Sequence, residues 1–348
     1  MVQYQLKLRV SKTQEKTVES WLPILGSVWN FAIRKMELNA KDRIYFSKQE
    51  FQNLLANHGE KLGIPSHRPQ GVLCTAHDAG ERCFKKQAGK PRLKGMRNKL
   101  TSIPFPDPIR EPKGNRITLP SLGSVRFHKM ELPEGKIKCG RMVKRASGWY
   151  LCLFIDAEPK SIERAVFGKI GIDAGFKNLL TTSDGEIIEP PRELEASEVR
   201  LAQAQRGHDK KLAARIQERI ANQRRDRNHK LSRRLVAENI LMAFSKDAIK
   251  GMARKFGKSV ASSAHGQLRQ MLSYKMPQSG GTYVEPDSKF STKTCSECGS
   301  QSGPSGWAGL LVRQWECNVC GAQHDRDVNA AINTLNAAAG CAVEVAYV

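Results

Sequence analysis

Midway along the chain, Lys169-Ile170-Gly171-Ile172-Asp173-Ala174-Gly175 is followed by Leu179-Leu180-Thr181-Thr182, Ser183-Asp184-Gly185 and Glu186-Ile187-Ile188. Short apolar runs punctuated by turn residues read as strand, turn, strand, turn, strand, an antiparallel meander that opens a domain. Downstream, a long polar helical region spans about Glu193 to Asn239, and Ile240 to Phe244 is a short apolar run suited to a buried strand. Val260 to Met276 has helical spacing, Thr282-Tyr283-Val284-Glu285 reads as another strand, and Asp327 to Leu335 as a final helix. A meander followed by alternating strands and helices is an α/β order.

Upstream, Tyr4, Leu6, Leu8 and Val10 share one face of a half-buried strand. From Thr13 to about Ala56 the apolar spacing is helical through Val18, Trp21, Leu22, Leu25, Val28 and Trp29, and Pro23 with Gly26 predicts a break. Residues from about Ser102 to Asp156 alternate apolar runs with turns, as in Leu122 to Phe127 and Gly148 to Ile155. This is hairpin spacing, and it predicts a small β-barrel or sandwich. If the N-terminal strand pairs into that sheet, the helical region is an insertion.

The chain has 348 residues, and 57 Lys+Arg against 34 Asp+Glu leave a formal charge of +23. Such an excess points to a polyanion, because neutralising phosphates releases condensed counterions. Two basic stretches stand out as phosphate-backbone candidates: Lys85 to Lys99, too polar to bury a face, and Arg206 to Arg234 in the polar helical region. No run is apolar and long enough to span a membrane, and the first residues lack the apolar segment of a secretory signal. The expected location is the bacterial cytoplasm, on the nucleoid when bound to a target.

Cys295-Ser296-Glu297-Cys298 and Cys317-Asn318-Val319-Cys320, with 18 residues between them, have the spacing of a four-thiolate Zn2+ site. Gly299 and Gly321 directly after the pairs permit the tight turns required. Four thiolates leave no open position for water, so the zinc is structural. Asp173, flanked by Gly171 and Gly175, and Asp327, at the start of a small-residue helix, are two carboxylates from distant segments. Converging, they would suit Mg2+ or Mn2+ and a metal-activated water attacking a phosphodiester.

Together these motifs resemble the transposon-encoded TnpB family, relatives of the type V CRISPR effectors. The resemblance rests on Ile172-Asp173-x-Gly175 with Ser183-Asp184-Gly185, Ser291-Thr292-Lys293-Thr294-Cys295-x-x-Cys298, Cys317-x-x-Cys320, and Asp325-Arg326-Asp327-x-Asn329-Ala330-Ala331-x-Asn333. Val28-Trp29-Asn30 and Gly89-Lys90-Pro91-Arg92-Leu93-Lys94 extend it to the front of the chain. The resemblance implies an α/β multidomain protein: an RNase H-like (RuvC) nuclease core over 161–290 and 322–345, with a zinc ribbon inserted at 291–321. It also implies a β-barrel wedge domain over 1–10 and 98–160 and a helical recognition domain over 11–97. The implied activity is RNA-guided cleavage of double-stranded DNA, with guide RNA as the second partner.

One departure matters. The family's second acidic motif is a Glu-Asp-Leu shortly before Lys-Gly-Met; here Lys250-Gly251-Met252 is present but the glutamate position falls on Ser245. Three replacements are open, ranked Glu285, then Asp247, then Glu238. The expected catalytic set is therefore Asp173, Asp327 and Glu285 or Asp247. If none reaches the metal, the protein is a guided DNA-binding repressor without cleavage; a transposase acting without RNA is the remaining alternative.

Overall fold

In the computed structural model the chain forms two compact units, Met1–Pro159 and Lys160–Val348. The structure describes residues 1–158, 161–164, 166–175, 177–190, 192–193, 195–246, 257, 263–305, 309 and 311–345. Asp247 and Lys250-Gly251-Met252 lie outside the described residues. Among the described residues no helix is long and apolar enough to cross a membrane.

In the first unit, β1 (Val2–Arg9) pairs antiparallel with strands far along the chain, so the helices are an insertion. The sheet comprises β2 (Ser102–Phe105), β3 (Arg116–Leu119), β4 (Gly123–Phe127), β5 (Lys136–Arg145) and β6 (Gly148–Asp156), in the order β2-β5-β6-β1-β4-β3. Among the described residues no pairing joins β2 to β3, so hydrogen bonding does not close the sheet into the expected barrel. Leu6, Phe105 and Leu151 from the sheet share one core with Val18, Leu25 and Leu73 from the helices.

Helix α1 (Lys12–Lys41) begins at a capping box, in which Ser11 and Gln14 satisfy each other's backbone N–H. The break expected at Pro23 and Gly26 does not occur. A proline inside a helix costs about 3 kcal/mol, but Trp21, Leu25, Val28 and Ala32 are buried on both sides of it, and each buried side chain of this size contributes about 1.5–3 kcal/mol. Burial therefore wins. The unit also contains α2 (Lys48–Asn53), α3 (Gly59–Leu62) and α4 (His67–Phe84). Arg68 ties α4 to the sheet: its guanidinium lies 3.9 Å from the Phe105 ring centroid and donates to Pro104 O and Pro120 O. Burial pulls its pKa down to about 10.

In the second unit, β7 (Gly168–Ala174), β8 (Leu180–Thr182) and β9 (Ile187–Ile188) form the expected meander. Strands β10 (Asn239–Phe244) and β11 (Thr282–Val284) add in parallel, giving the order β11-β10-β7-β8-β9. The polar helical region is two helices, α5 (Glu195–Arg206) and α6 (Lys210–Glu238). His208, at φ +53°, breaks them, and the Asp209 carboxylate caps α6 by accepting from Leu212 N–H. The apolar residues of α6, among them Ile216, Ile220, Leu235 and Val236, are buried, while Lys211, Arg215, Arg219, Lys230 and Arg233 are exposed. Helix α7 (His265–Gln278), the hairpin of β12 (Gln314–Glu316) with β13 (Gln323–Asp325), and α8 (Arg326–Val345) complete the unit.

Candidate nuclease site and zinc ribbon

The sheet's register decides which side chains can meet. Ala243 is level with Gly171 on one side and Val284 on the other, and Phe244 is level with Ile172. Ser245 N–H donates to Ile172 O at 2.9 Å and Lys246 N–H to Pro286 O at 3.3 Å, so the ladder continues past the strand ends. Ser245 thus sits level with Asp173, and Glu285 with Phe244. Side chains alternate between faces. Gly171, Asp173 and Ser245 occupy one face; Ile172, Phe244, Tyr283 and Glu285 occupy the other.

The second face carries the core, where Ile172 and Phe244 pack with Leu268, Leu272 and Met276 of α7, with Tyr283 alongside. Glu285 accepts the Tyr283 hydroxyl at 2.7 Å. Burial, with this carboxylate adjacent, pushes the Tyr283 phenol pKa up. The register therefore separates Glu285 from Asp173, against its first rank as the third carboxylate. Glu238 precedes β10 at the opposite end from Ser245 and pairs with Arg234 at 3.7 Å. Ser245 is itself fully buried, and its hydroxyl accepts the Ala174 N–H at 3.2 Å. It completes the backbone ladder where a carboxylate was expected.

The first face receives α8. A Cβ at Gly171 would fall 2.0 Å from Ala331 O, so only glycine admits this approach of helix to strand. Asp173 is two residues beyond Gly171 on the same face, roughly 6.6 Å along the strand. Asp327 is four residues before Ala331 on the same helix face, roughly 6 Å along the axis. Each carboxylate thus lies within roughly 7 Å, measured along its own element, of the one backbone contact between strand and helix.

Asp327 is partly buried, with 19% of its side chain exposed, and both its oxygens accept from Arg313 Nη1, at 2.8 and 3.0 Å. No spacing rule marks Arg313 in the sequence; it reaches the site because Arg313 O accepts the Arg326 N–H where α8 begins. Asp325 accepts the N–H groups of Asp327 and Val328 and fixes the first turn.

The four cysteines come together as their spacing predicts. Their sulfurs all lie within 4.8 Å of one another, with Cys295 to Cys320 at 3.7 Å and Cys298 to Cys317 at 3.6 Å. A Zn–S bond of ~2.3 Å gives a tetrahedral edge of ~3.8 Å, so the donor set fits zinc. Gly299 and Gly321 adopt φ +76° and +73°, the left-handed turns expected after each pair. Ser300 and Ser302 hydroxyls lie 3.3 and 3.2 Å from Cys317 Sγ and hold its pKa down at about 5, favouring the thiolate. His324 Nε2 lies 3.0 Å from Cys295 Sγ, and its ring lies 4.6 Å from that of Trp315, tilted by 38°. Among the described residues this is the one cluster of three or more metal-ligating side chains, so Asp173, Asp327 and Glu285 do not form a second.

The ribbon is fastened to α8 by two asparagines. Asn329, 1% exposed, accepts the Ser296 N–H at 2.9 Å and donates to Ser291 O and Thr294 O. Asn333 donates to the same two carbonyls at 2.8 and 2.6 Å.

A sheet parallel along one edge, with α8 packed on one face and a four-cysteine ribbon spliced before that helix, is the arrangement that known proteins are compared with. The Cas12f1 chain of a solved Cas12f1-sgRNA-target DNA complex shares this fold: TM-score 0.58 at 13% identity, covering 94% of this chain and 83% of that one. Residues 166–255 match a family described as probable transposase (OrfB_IS605), and residues 265–334 the Cas12f1-like TNB domain. A Streptomyces pristinaespiralis protein named RNA-guided DNA endonuclease is 33% identical over 274 residues, 73% of this chain and 67% of the relative. The Escherichia coli protein InsQ, named likewise, is 25% identical over 309 residues, 80% of this chain and 75% of that protein. The chain belongs to the TnpB family.

Proposed function

We propose that this protein is an RNA-guided DNA endonuclease encoded by an insertion sequence, cutting phosphodiesters at a RuvC-type site built on Asp173 and Asp327. The observation that carries the reading is the pair of carboxylates near the Gly171–Ala331 contact, in a chain whose relatives bear that name. The donor set suits Mg2+ or Mn2+, since magnesium is commonly held by one or two carboxylates with substrate phosphates completing the shell. When bound, such an ion supplies Lewis acidity and lowers the pKa of a water.

The chain's own residues do the rest. Asp173 and Asp327 would hold the ion, and Arg313, once freed from Asp327, would be available to neutralise charge on the scissile phosphate. Asp247 is the third carboxylate we assign, because it follows the Ser245 position by two residues in sequence, whereas Glu285 is committed to Tyr283. Sequence choice rests with the guide RNA, while the protein holds the heteroduplex through its shape and charge. Residues 1–10 and 98–160 would serve as wedge and 11–97 as recognition region; the exposed cations of Lys85 to Lys99 and of α6 suit phosphate contact.

Plasmid cleavage by the purified ribonucleoprotein in Mg2+ tests the reading. Cleavage is expected to fall by at least about 100-fold in Asp173→Ala, Asp327→Ala and Asp247→Ala, and to persist in Glu285→Ala. Guide-dependent binding by wild type without cleavage would overturn the nuclease reading in favour of a guided repressor.

A further inference from the structure

Within the first unit, α1 and the basic loop enclose a cleft of about 580 Å3 that no step of the cleavage reaction uses. Its volume is that of a small-molecule site. Leu22 and Leu100 make its walls apolar, and Met96, 92% exposed, stands at its mouth. Three lysines also line it. Lys144 is already ion-paired with Glu19. Lys85 and Lys90 of the loop are likewise matched, by Glu81 and Glu37; Lys94, whose ammonium lies 5.1 Å from the Trp29 ring centroid, and Lys99 form no ion pair among the described residues. The cleft thus joins an apolar interior to two cations with no carboxylate partner among the described residues, one of them resting on an aromatic ring.

The cleft is also preformed. Trp29 Nε1 donates to Arg92 O at 3.0 Å, Asn30 Nδ2 donates to Lys94 O at 2.8 Å, and Lys94 N–H returns to Asn30 Oδ1 at 2.6 Å. Gly95 and Asn98 exchange backbone hydrogen bonds, both 3.2 Å, so the loop's tip is a closed turn. A loop fixed in this way loses little entropy when a ligand arrives.

An apolar slot with cations at its lip matches one nucleotide: a flat base to bury and a phosphate to pair. A stacked base pair presents no such edge, so the nucleotide must be unstacked. Specific RNA recognition works mainly on splayed, unstacked bases. We propose that this cleft takes one unstacked nucleotide of the guide RNA, its base against Leu22, Leu100 and Met96 and its phosphate at Lys94 and Lys99. The proposal rests on the RNA-guided reading above.

Gly26 supplies a selective test. A Cβ there meets only Lys94 Cβ at 3.8 Å and Leu100 Cβ at 4.0 Å, ordinary contacts, so Gly26→Leu fills the cleft while favouring the helix. The full ribonucleoprotein, assembled on 4-thiouridine-labelled guide RNA, would be photo-crosslinked and the linked peptides mapped. One or two adjacent nucleotides are expected to link to residues 22–30 or 94–100. Gly26→Leu should abolish those links and weaken guide binding roughly tenfold or more, the scale of one lost base contact. Lys99→Ala should reduce the salt slope of RNA binding by about 0.7. A guided, cleaving complex with no link in the cleft, links only from labelled target DNA, or an unaffected Gly26→Leu would each overturn this proposal alone. Failure to bind any guide RNA would overturn it together with the RNA-guided reading.

Discussion

Replacing Asn329 and Asn333 separately and together measures how firmly the four-cysteine ribbon is held to the helix that carries Asp327. Both amides donate to Ser291 O and Thr294 O, so either asparagine alone still satisfies both carbonyls. Asn333→Ala should therefore cost about 1 kcal/mol, the net worth of redundant hydrogen bonds. Asn329→Ala also orphans the Ser296 N–H, and leaving one buried group unsatisfied costs about 1–3 kcal/mol. Only the double variant strands the two carbonyls. Its cost should exceed the sum of the singles by roughly 1–3 kcal/mol, the range found for residues in one network. Hydrogen exchange over residues 291–298 in the full chain reads this directly, since each 1.4 kcal/mol of lost protection is about tenfold faster exchange. Additivity within about 0.5 kcal/mol would refute the shared-acceptor argument.

Three further outcomes follow from the same geometry. Gly171→Ala forces the Ala331 carbonyl back by about 1 Å or more; overpacking of this kind costs about 1–3 kcal/mol, and cleavage should fall about 100-fold, checked by thermal melting and plasmid cleavage. Zinc removal by chelation, or Cys317→Ser, should raise the accessibility of Trp315, now 8% exposed, to a fluorescence quencher while leaving the first unit's melting unchanged. Lys275, whose ammonium donates to His229 O and Ser232 Oγ, has its pKa lowered to about 8 by burial and by Arg233. The unfolded chain binds its proton more tightly than the folded one, so wild type should gain stability relative to Lys275→Met as pH rises from about 8 towards 10.5, read as the difference in melting temperature. A difference independent of pH would count against that burial.

Local pattern alone made the meander, the buried strand at Ile240 to Phe244 and the four-thiolate cluster legible, because alternation and C-x2-C spacing are encoded within a few residues. The expected break at Pro23 failed for the opposite reason: tertiary burial of Trp21 and Leu25 outweighs a local preference. Trp29, on the helical apolar spacing, packs partly buried against the core and also holds the basic loop through its indole N–H, a contact that no local pattern encodes.

Read alone, the sequence was enough for the family, the α/β order and the gathering of the four cysteines. The face that Glu285 occupies, the meeting of Arg313 with Asp327 and the sharing of two carbonyls by two asparagines came from packing between distant segments. The physical reason is register. Parity within a strand fixes which residues share a face, but which residue of one strand lies level with which of its neighbour depends on pairing between distant segments. A shift of one residue between β10 and β11 would have put Glu285 on the Asp173 face, and nothing local to Thr282–Glu285 forbids it.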